Sequence, residues 1–191
     1  MNTQKNNQPL VSIIMNCYNG ENFLHESIKS VLSQTYENWE IIFWDNQSED
    51  KSAKIFKSNN DKRFKYFYAK EHTSLYKARN LAINESRGEL LAFIDTDDLW
   101  EKNKLELQIP LFDDSKISLV YSNLWIIKNN LGNKKKFIKT KFPSGFIYEK
   151  LLDEYNVGII TAVFRKNIIN DLPKVFDERF SIIGDFDFFL K

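Results

Sequence analysis

Asp95-Thr96-Asp97-Asp98 closes an apolar run, Leu90-Leu91-Ala92-Phe93-Ile94, that reads as a buried strand. Three carboxylates where such a strand opens into a loop are costly unless a cation or hydrogen-bond donors hold them. Successive strand side chains point to opposite faces, so Asp95 and Asp97 can share a face while the chain turns at Asp98. Two or three oxygen ligands at one mouth suit Mg2+ or Mn2+, which bind a few carboxylates and keep positions open for substrate phosphates. Standing alone, Asp97-Asp98 fits an ordinary N-cap before the segment near Trp100 better than a metal site. The rest of the chain reverses that preference.

Two further polar clusters end apolar runs in the same way. Val11-Ser12-Ile13-Ile14-Met15 runs into Asn16-Cys17-Tyr18-Asn19-Gly20, and Glu40-Ile41-Ile42-Phe43-Trp44 runs into Asp45-Asn46-Gln47-Ser48. Between the strands lie helical patterns: one carries Leu24, Ile28, Val31 and Leu32 on one face, a polar one runs from about Glu49 to Lys57, and a third from about Leu75 to Ser86. A strand at Phe64 to Tyr68 completes the set. Short strands apolar on both faces, alternating with helices, predict an α/β fold with a mostly parallel sheet and right-handed crossovers. Ligands of such sheets bind beyond the carboxyl ends of the strands, so the three polar clusters should converge on one crevice.

The second half is less regular. Strands are expected at Ile117 to Tyr121 and Leu124 to Ile127, then a turn at Asn129-Asn130-Leu131-Gly132-Asn133 and a return segment from Lys134-Lys135-Lys136 to about Phe142-Pro143. The lysine triplet reads first as a solvated hairpin edge and second as a lipid contact. A short helix at Gly145 to Leu152, a strand at Gly158 to Arg165 and a helix at Ile182 to Lys191 follow. Without an internal repeat or linker, the expectation is one domain over 9–191 after a flexible 1–8.

A chain of 191 residues suffices for one α/β domain with a real core. Its 27 basic and 26 acidic residues leave no electrostatic footprint for nucleic acid, so phosphate affinity must come from a local site. Cys17 is the single cysteine, which excludes an internal disulfide and fits a reducing compartment. The polar first nine residues lack a signal-peptide core, and no apolar run reaches membrane-spanning length. A cytoplasmic protein is expected, with a peripheral membrane contact left open.

The stretches PLVSIIMNCYNGENFLHESIKSVLSQTYENWEIIFWDNQSED, ARNLAINESRGELLAFIDTDDLWEKNKLELQ and FDERFSIIGDFDFFLK resemble the family 2 glycosyltransferases of the GT-A fold. The resemblance runs from about Pro9 to Lys191 and implies inverting transfer of a sugar from a nucleoside-diphosphate sugar, UDP- or dTDP-linked by preference, with Mn2+ or Mg2+. It implies a glycan or lipid-linked glycan as acceptor, in surface polysaccharide synthesis. It divides the domain into a donor-binding half, 9–112, and an acceptor-side half, 113–191, that in the family continues further.

Carried over residue by residue, it puts Asn16, Cys17 and Tyr18 along the nucleoside pocket, with Tyr18 against the base. Asp45-Asn46 stands where the family commonly has two Asp, one of which accepts the N3–H of uracil. An amide oxygen can accept that proton too, provided its NH2 finds an acceptor; for Asp45 a turn role competes. Arg79 in Ala78-Arg79-Asn80 is expected to pair with Asp95 or Asp97 or to touch the nucleotide. Asp95 lies nearer the ribose, and Asp97 or Asp98 on metal and diphosphate. Trp100 is packing or a wall of the sugar pocket, and His72 is expected in solvent. Gly184-Asp185-Phe186-Asp187 resembles the family's Glu-Asp motif with Gly for Glu, so Asp185 matches the general base, Asp187 is the alternative, and a helix N-cap competes. Two other functions remain open at this point: a nucleotide-sugar-binding module without catalysis and a sugar-1-phosphate nucleotidyltransferase. The second would show a Gly-rich loop with Arg and Lys after the first strand, whereas Asn16 to Gly20 has one glycine and neither base.

Overall fold

The computed structural model describes residues 8–128, 133–137 and 142–191. Strand β1 (Val11–Cys17), helix α1 (Leu24–Leu32), β2 (Trp39–Asp45), α2 (Ser52–Lys57), β3 (Phe64–Tyr68), α3 (Leu75–Asn84) and β4 (Leu90–Phe93) alternate as the apolar pattern requires. There follow α4 (Lys104–Gln108), β5 (Leu119–Val120), β6 (Trp125–Lys128), β7 (Asn133–Lys136), α5 (Tyr148–Asp153), β8 (Val163–Arg165) and α6 (Gly184–Phe189). The main sheet has the order β3-β2-β1-β4-β8-β5, and β6-β7 form a sheet of their own. The four strands β1 to β4 run parallel, while β8 is antiparallel to both β4 and β5.

The alternation of β1 explains the layers. Val11, Ile13 and Met15 pack on one face with Leu24, Ile28 and Val31 of α1 and with Trp100, Leu105 and Phe112. Ile14 points the other way, into a cluster with Tyr76, Ala82 and Ile83 of α3 and with Phe176 and Phe188. With no wet face, the central strands are apolar at nearly every position, and the buried exceptions Ser12 and Glu40 bond each other at 2.7 Å. Burying each large aliphatic side chain contributes about 1.5–3 kcal/mol.

Several elements are shorter than the pattern suggested. Helix α2 begins at Ser52 rather than Glu49, and the Glu49 and Lys51 N–H groups bond the side chains of Asn19 and Glu21 across the neighbouring loop. Leu32, expected on the buried face of α1, is exposed at that helix's last residue. The strand expected at 158–165 is a 3-10 turn, Ile159–Thr161, followed by β8. The expected hairpin forms as β6 and β7; the core of its turn signal, 129–132, lies outside the described residues, as does part of the return segment, 138–141.

Candidate active site

The parallel strands β2, β1 and β4 end side by side, and their polar loops meet there. The two loops after β1 and β2 are stitched together. Asn19 Nα donates to Ser48 Oγ at 3.0 Å, Gly20 Nα to Ser52 Oγ at 2.9 Å and Glu21 Nα to Asp50 Oδ2 at 2.9 Å. Asn19 returns a bond through its side-chain oxygen to Glu49 Nα at 2.9 Å. It and Gln47 hold the left-handed backbone (φ 54° and 69°) that such tight loops need. Burial opposes ionisation of Asp50, yet the bonds from Ser52 and Glu21 win and hold its carboxyl below the usual range.

This stitching presents Tyr18 outward. Its ring is 55% exposed and sits 4.3 Å from the His72 ring, tilted by 54°. His72 Nδ1 lies 2.9 Å from the Asn46 carbonyl, which makes Nδ1 the protonated nitrogen and fixes the ring. His72 is exposed as expected, but its role as the second wall beside Tyr18 carries no sequence signal beyond its place two residues before Ser74, the N-cap of α3. A flat base lying on Tyr18 would gain about 1–3 kcal/mol from stacking. Tyr18→Ala is therefore expected to weaken nucleoside-diphosphate binding by that amount in a calorimetric titration, and an unchanged affinity would remove Tyr18 from the pocket.

Cys17, expected beside Tyr18, is buried in the core below, its thiol raised by burial and facing Ser48 at 3.7 Å. Asp45 is wholly buried; it accepts Ser48 Nα at 2.7 Å and the Tyr66 hydroxyl at 2.6 Å, so its competing turn reading describes its bonds. Asn46 spends its amide on the loop before α3: Nδ2 donates to the Thr73 carbonyl at 2.8 Å, and Oδ1 accepts Thr73 Nα at 3.1 Å and Oγ1 at 3.2 Å. Its NH2 has found its acceptor inside the protein, and its oxygen already accepts the Thr73 N–H.

Two donors near the ends of β1 and β2 remain open. Asn16 Nδ2 and Trp44 Nε1 are buried and lack a hydrogen-bond partner among the described residues. Asn16 and Trp44 are register neighbours across β1 and β2, so their side chains share a face. Buried donors this close to a strand end call for an acceptor oxygen from solvent or a ligand. Trp44 was not legible as a site residue because an indole in an apolar strand reads as core.

Beyond the end of β4, Asp95 Oδ1 accepts from Arg79 Nη2 of α3 at 3.0 Å; the arginine side chain is 4% exposed and the carboxylate partly open. This is the structural pair the sequence anticipated. Asp97 is exposed and Asp98 half-buried, and burial first, then the charges of Asp95 and Asp97, push the Asp98 carboxyl up to about 6. Among the described residues no three acidic, histidine or cysteine side chains close into a metal cage. Two hard carboxylate oxygens on an open loop nevertheless fit a cation that takes its other ligands from a diphosphate. Trp100 is packing: it is buried, and its Nε1 donates to the Ile160 carbonyl at 3.0 Å.

Asp185 occupies the first turn of α6, after the N-cap residue Ile183, so the N-cap reading does not apply to it. Two tyrosines accompany it. Tyr76 Oη lies 3.4 Å from Asp185 Oδ1 and donates at 2.7 Å to the Ile182 carbonyl. The Tyr155 hydroxyl is buried with no hydrogen-bond partner among the described residues, and burial, followed by the Asp185 charge, drives it well above the usual phenol range. Gly184 is explained by the same packing, because a Cβ there would meet the Tyr76 ring at 2.6 Å. A Glu at that position, as in the family motif, would collide with Tyr76. Asp187, the alternative base, is ion-paired with Lys191 at 2.5 Å. Tyr76 also stands between Asp185 and Arg79: one helical turn on, Arg79 places its guanidinium carbon 5.7 Å from the Tyr76 ring while holding Asp95.

Comparison with known proteins agrees with this architecture. The family model described as Glycosyl transferase family 2 matches residues 12–172, which leaves Asp185 outside the matched stretch. The Escherichia coli protein "UDP-Glc:alpha-D-GlcNAc-diphosphoundecaprenol beta-1,3-glucosyltransferase WfgD" is 38% identical over 161 residues, 84% of this chain and 62% of that protein. The "Putative teichuronic acid biosynthesis glycosyltransferase TuaG" of Bacillus subtilis is 29% identical over 158 residues, 82% of this chain and 62% of that protein. The chain thus spans less than two thirds of either relative. Among solved structures, S. aureus TarS 1-349 in complex with UDP-GlcNAc superposes with a TM-score of 0.79 at 22% identity, over 93% of this chain and 51% of that one. The expected GT-A fold is the observed fold, and the chain belongs to glycosyl transferase family 2.

Proposed function

We propose that this domain moves a sugar, with inversion, from a nucleoside-diphosphate sugar, UDP- or dTDP-linked by preference, to a hydroxyl of a glycan or lipid-linked glycan in surface polysaccharide synthesis. The observation that carries the reading is the path Asp185–Tyr76–Arg79–Asp95, which couples a carboxylate of the second half to the loop of three carboxylates in the first. Residues 9–112 form the donor side in this reading and 113–191 the acceptor side. The activity named for the E. coli relative, glucosyl transfer from UDP-Glc to a sugar on a lipid diphosphate, supports the donor and acceptor classes.

The chain's own residues divide the work. Tyr18 and His72 wall the base, and Asn16 and Trp44 offer donors to nucleotide oxygens. Arg79 holds Asp95 in place beneath the ribose. Asp97 and Asp98 would hold Mn2+ or Mg2+, which when bound offsets charge on the leaving diphosphate. Asp185 takes the proton of the acceptor hydroxyl as its oxygen bonds to the anomeric carbon. The bond from that carbon to the diphosphate oxygen breaks, and the nucleoside diphosphate leaves from the opposite face.

The test is a thermal-shift panel of UDP-, dTDP- and GDP-sugars with Mn2+ and with chelator. Selective, cation-dependent stabilisation by a UDP- or dTDP-sugar is expected, since a ligand that binds only the folded state raises its stability. No shift with any nucleotide sugar, with or without Mn2+, would overturn the reading.

A further inference from the structure

β6 and β7 stand apart from the six-stranded sheet and divide two chemistries between them. On β6, Trp125, Ile126 and Ile127 are 45%, 38% and 50% exposed, and Phe137 just after β7 is 46% exposed. Opposite them runs Lys134-Lys135-Lys136, in the register Trp125↔Lys136, Ile126↔Lys135 and Ile127↔Lys134. Because strand side chains alternate, Trp125 shares one face of the hairpin with Lys136 and Ile126 shares the other with Lys135. Lys136 Nζ lies 5.3 Å from the Trp125 ring. Lysines that merely guard a strand edge do not require three consecutive large apolar residues in solvent on the partner strand.

An anionic bilayer surface satisfies both strands at once. Indole and aliphatic side chains enter the headgroup boundary while lysines meet lipid phosphates. The hairpin is also rooted beside the crevice. Leu124 packs on Gly158, where an added Cβ would meet Leu124 Cδ2 at 3.1 Å. Gly158 leads into the turn whose Ile160 carbonyl is bonded by Trp100, two residues beyond Asp98.

We propose that the β6–β7 hairpin docks the protein on an anionic phospholipid bilayer and so holds the crevice at the surface where a lipid-linked acceptor lies. The proposal rests on the lipid-linked acceptor put forward above. The full chain should co-sediment with phosphatidylcholine vesicles containing phosphatidylglycerol, less so at high salt, and not with phosphatidylcholine alone. Brominated lipid should quench tryptophan fluorescence, and Trp125→Phe should remove that quenching, since Trp39 and Trp100 are buried and Trp44 is half-buried. Lys135→Glu with Lys136→Glu should weaken vesicle binding about tenfold or more.

Absence of binding to anionic vesicles, or equal binding by the charge-reversed variant, would overturn the proposal. So would a dimer in sedimentation velocity that Ile127→Glu dissolves, because the hairpin's occupant would then be a second copy. Donor stabilisation and transfer to a soluble sugar acceptor, measured without vesicles, keep the two readings separate. If they persist while vesicle binding fails, the hairpin proposal falls alone; if they fail while binding persists, the enzymatic reading falls instead.

Discussion

Asp185→Asn is expected to reduce sugar transfer about 10²–10⁴-fold with donor affinity unchanged, the usual contribution of a general base. The amide keeps the size of the side chain beside Tyr76 Oη, which lies 3.4 Å away in the wild type and gives its proton to the Ile182 carbonyl, but it cannot take a proton from an acceptor hydroxyl. Asp187→Asn should do much less. Asp187 sits two residues further along α6 and is neutralised by Lys191 at 2.5 Å, so its carboxylate is already committed. The measurement pairs initial transfer rates, in a polypeptide that turns over, with calorimetric titration of the donor. Near-normal transfer by Asp185→Asn, or a larger loss from Asp187→Asn, would put the base on another carboxylate. A fall in donor affinity matching the fall in rate would make Asp185 a donor-binding residue.

The parts of this arrangement that the sequence disclosed are those written in local pattern. β1, β2 and β4 are apolar at nearly every position because both faces of a central parallel strand are covered, and each ends where polar residues begin. That alone located the crevice. Arg79 could be paired with Asp95 or Asp97 in advance because a buried guanidinium requires a carboxylate and few were available at the strand ends; the structure selects Asp95.

What stayed hidden depends on contacts between distant loops. The bonds from Asn46 to Thr73 link residues 27 apart in sequence, and no periodicity marks them. The Gly184 substitution in the family's Glu-Asp motif became intelligible through Tyr76, 108 residues earlier, whose ring fills the space a side chain would need. Tyr76 had a usable clue, since it lies three residues before Arg79 and so on the same helix face. Tyr155 had none. It feels the Asp185 charge from a stretch without regular structure after α5.

Removing a carboxylate from the Asp95–Asp98 loop should have opposite effects on binding and on stability. Asp97→Ala or Asp98→Ala is expected to abolish the difference in donor affinity between Mn2+ and chelator, because each would supply one of the few protein oxygens to the cation. Without cation, Asp98→Asn should instead stabilise the fold. The Asp98 carboxyl is raised from 3.8 to about 6, by burial and then by Asp95 and Asp97. Below about pH 4 it is protonated both folded and unfolded and costs nothing. As pH rises the unfolded chain ionises first, so the cost grows between the two values and is complete above about pH 6. A difference of that size corresponds to at most about 3 kcal/mol, and solvent screening of a partly exposed carboxylate brings it nearer to about 1 kcal/mol. Thermal melts of Asp98→Asn in chelator should therefore exceed wild type at pH 7 and converge with it near pH 4. Equal melting at pH 7, together with retained Mn2+ dependence of donor binding, would show that these carboxylates neither repel one another nor hold a cation.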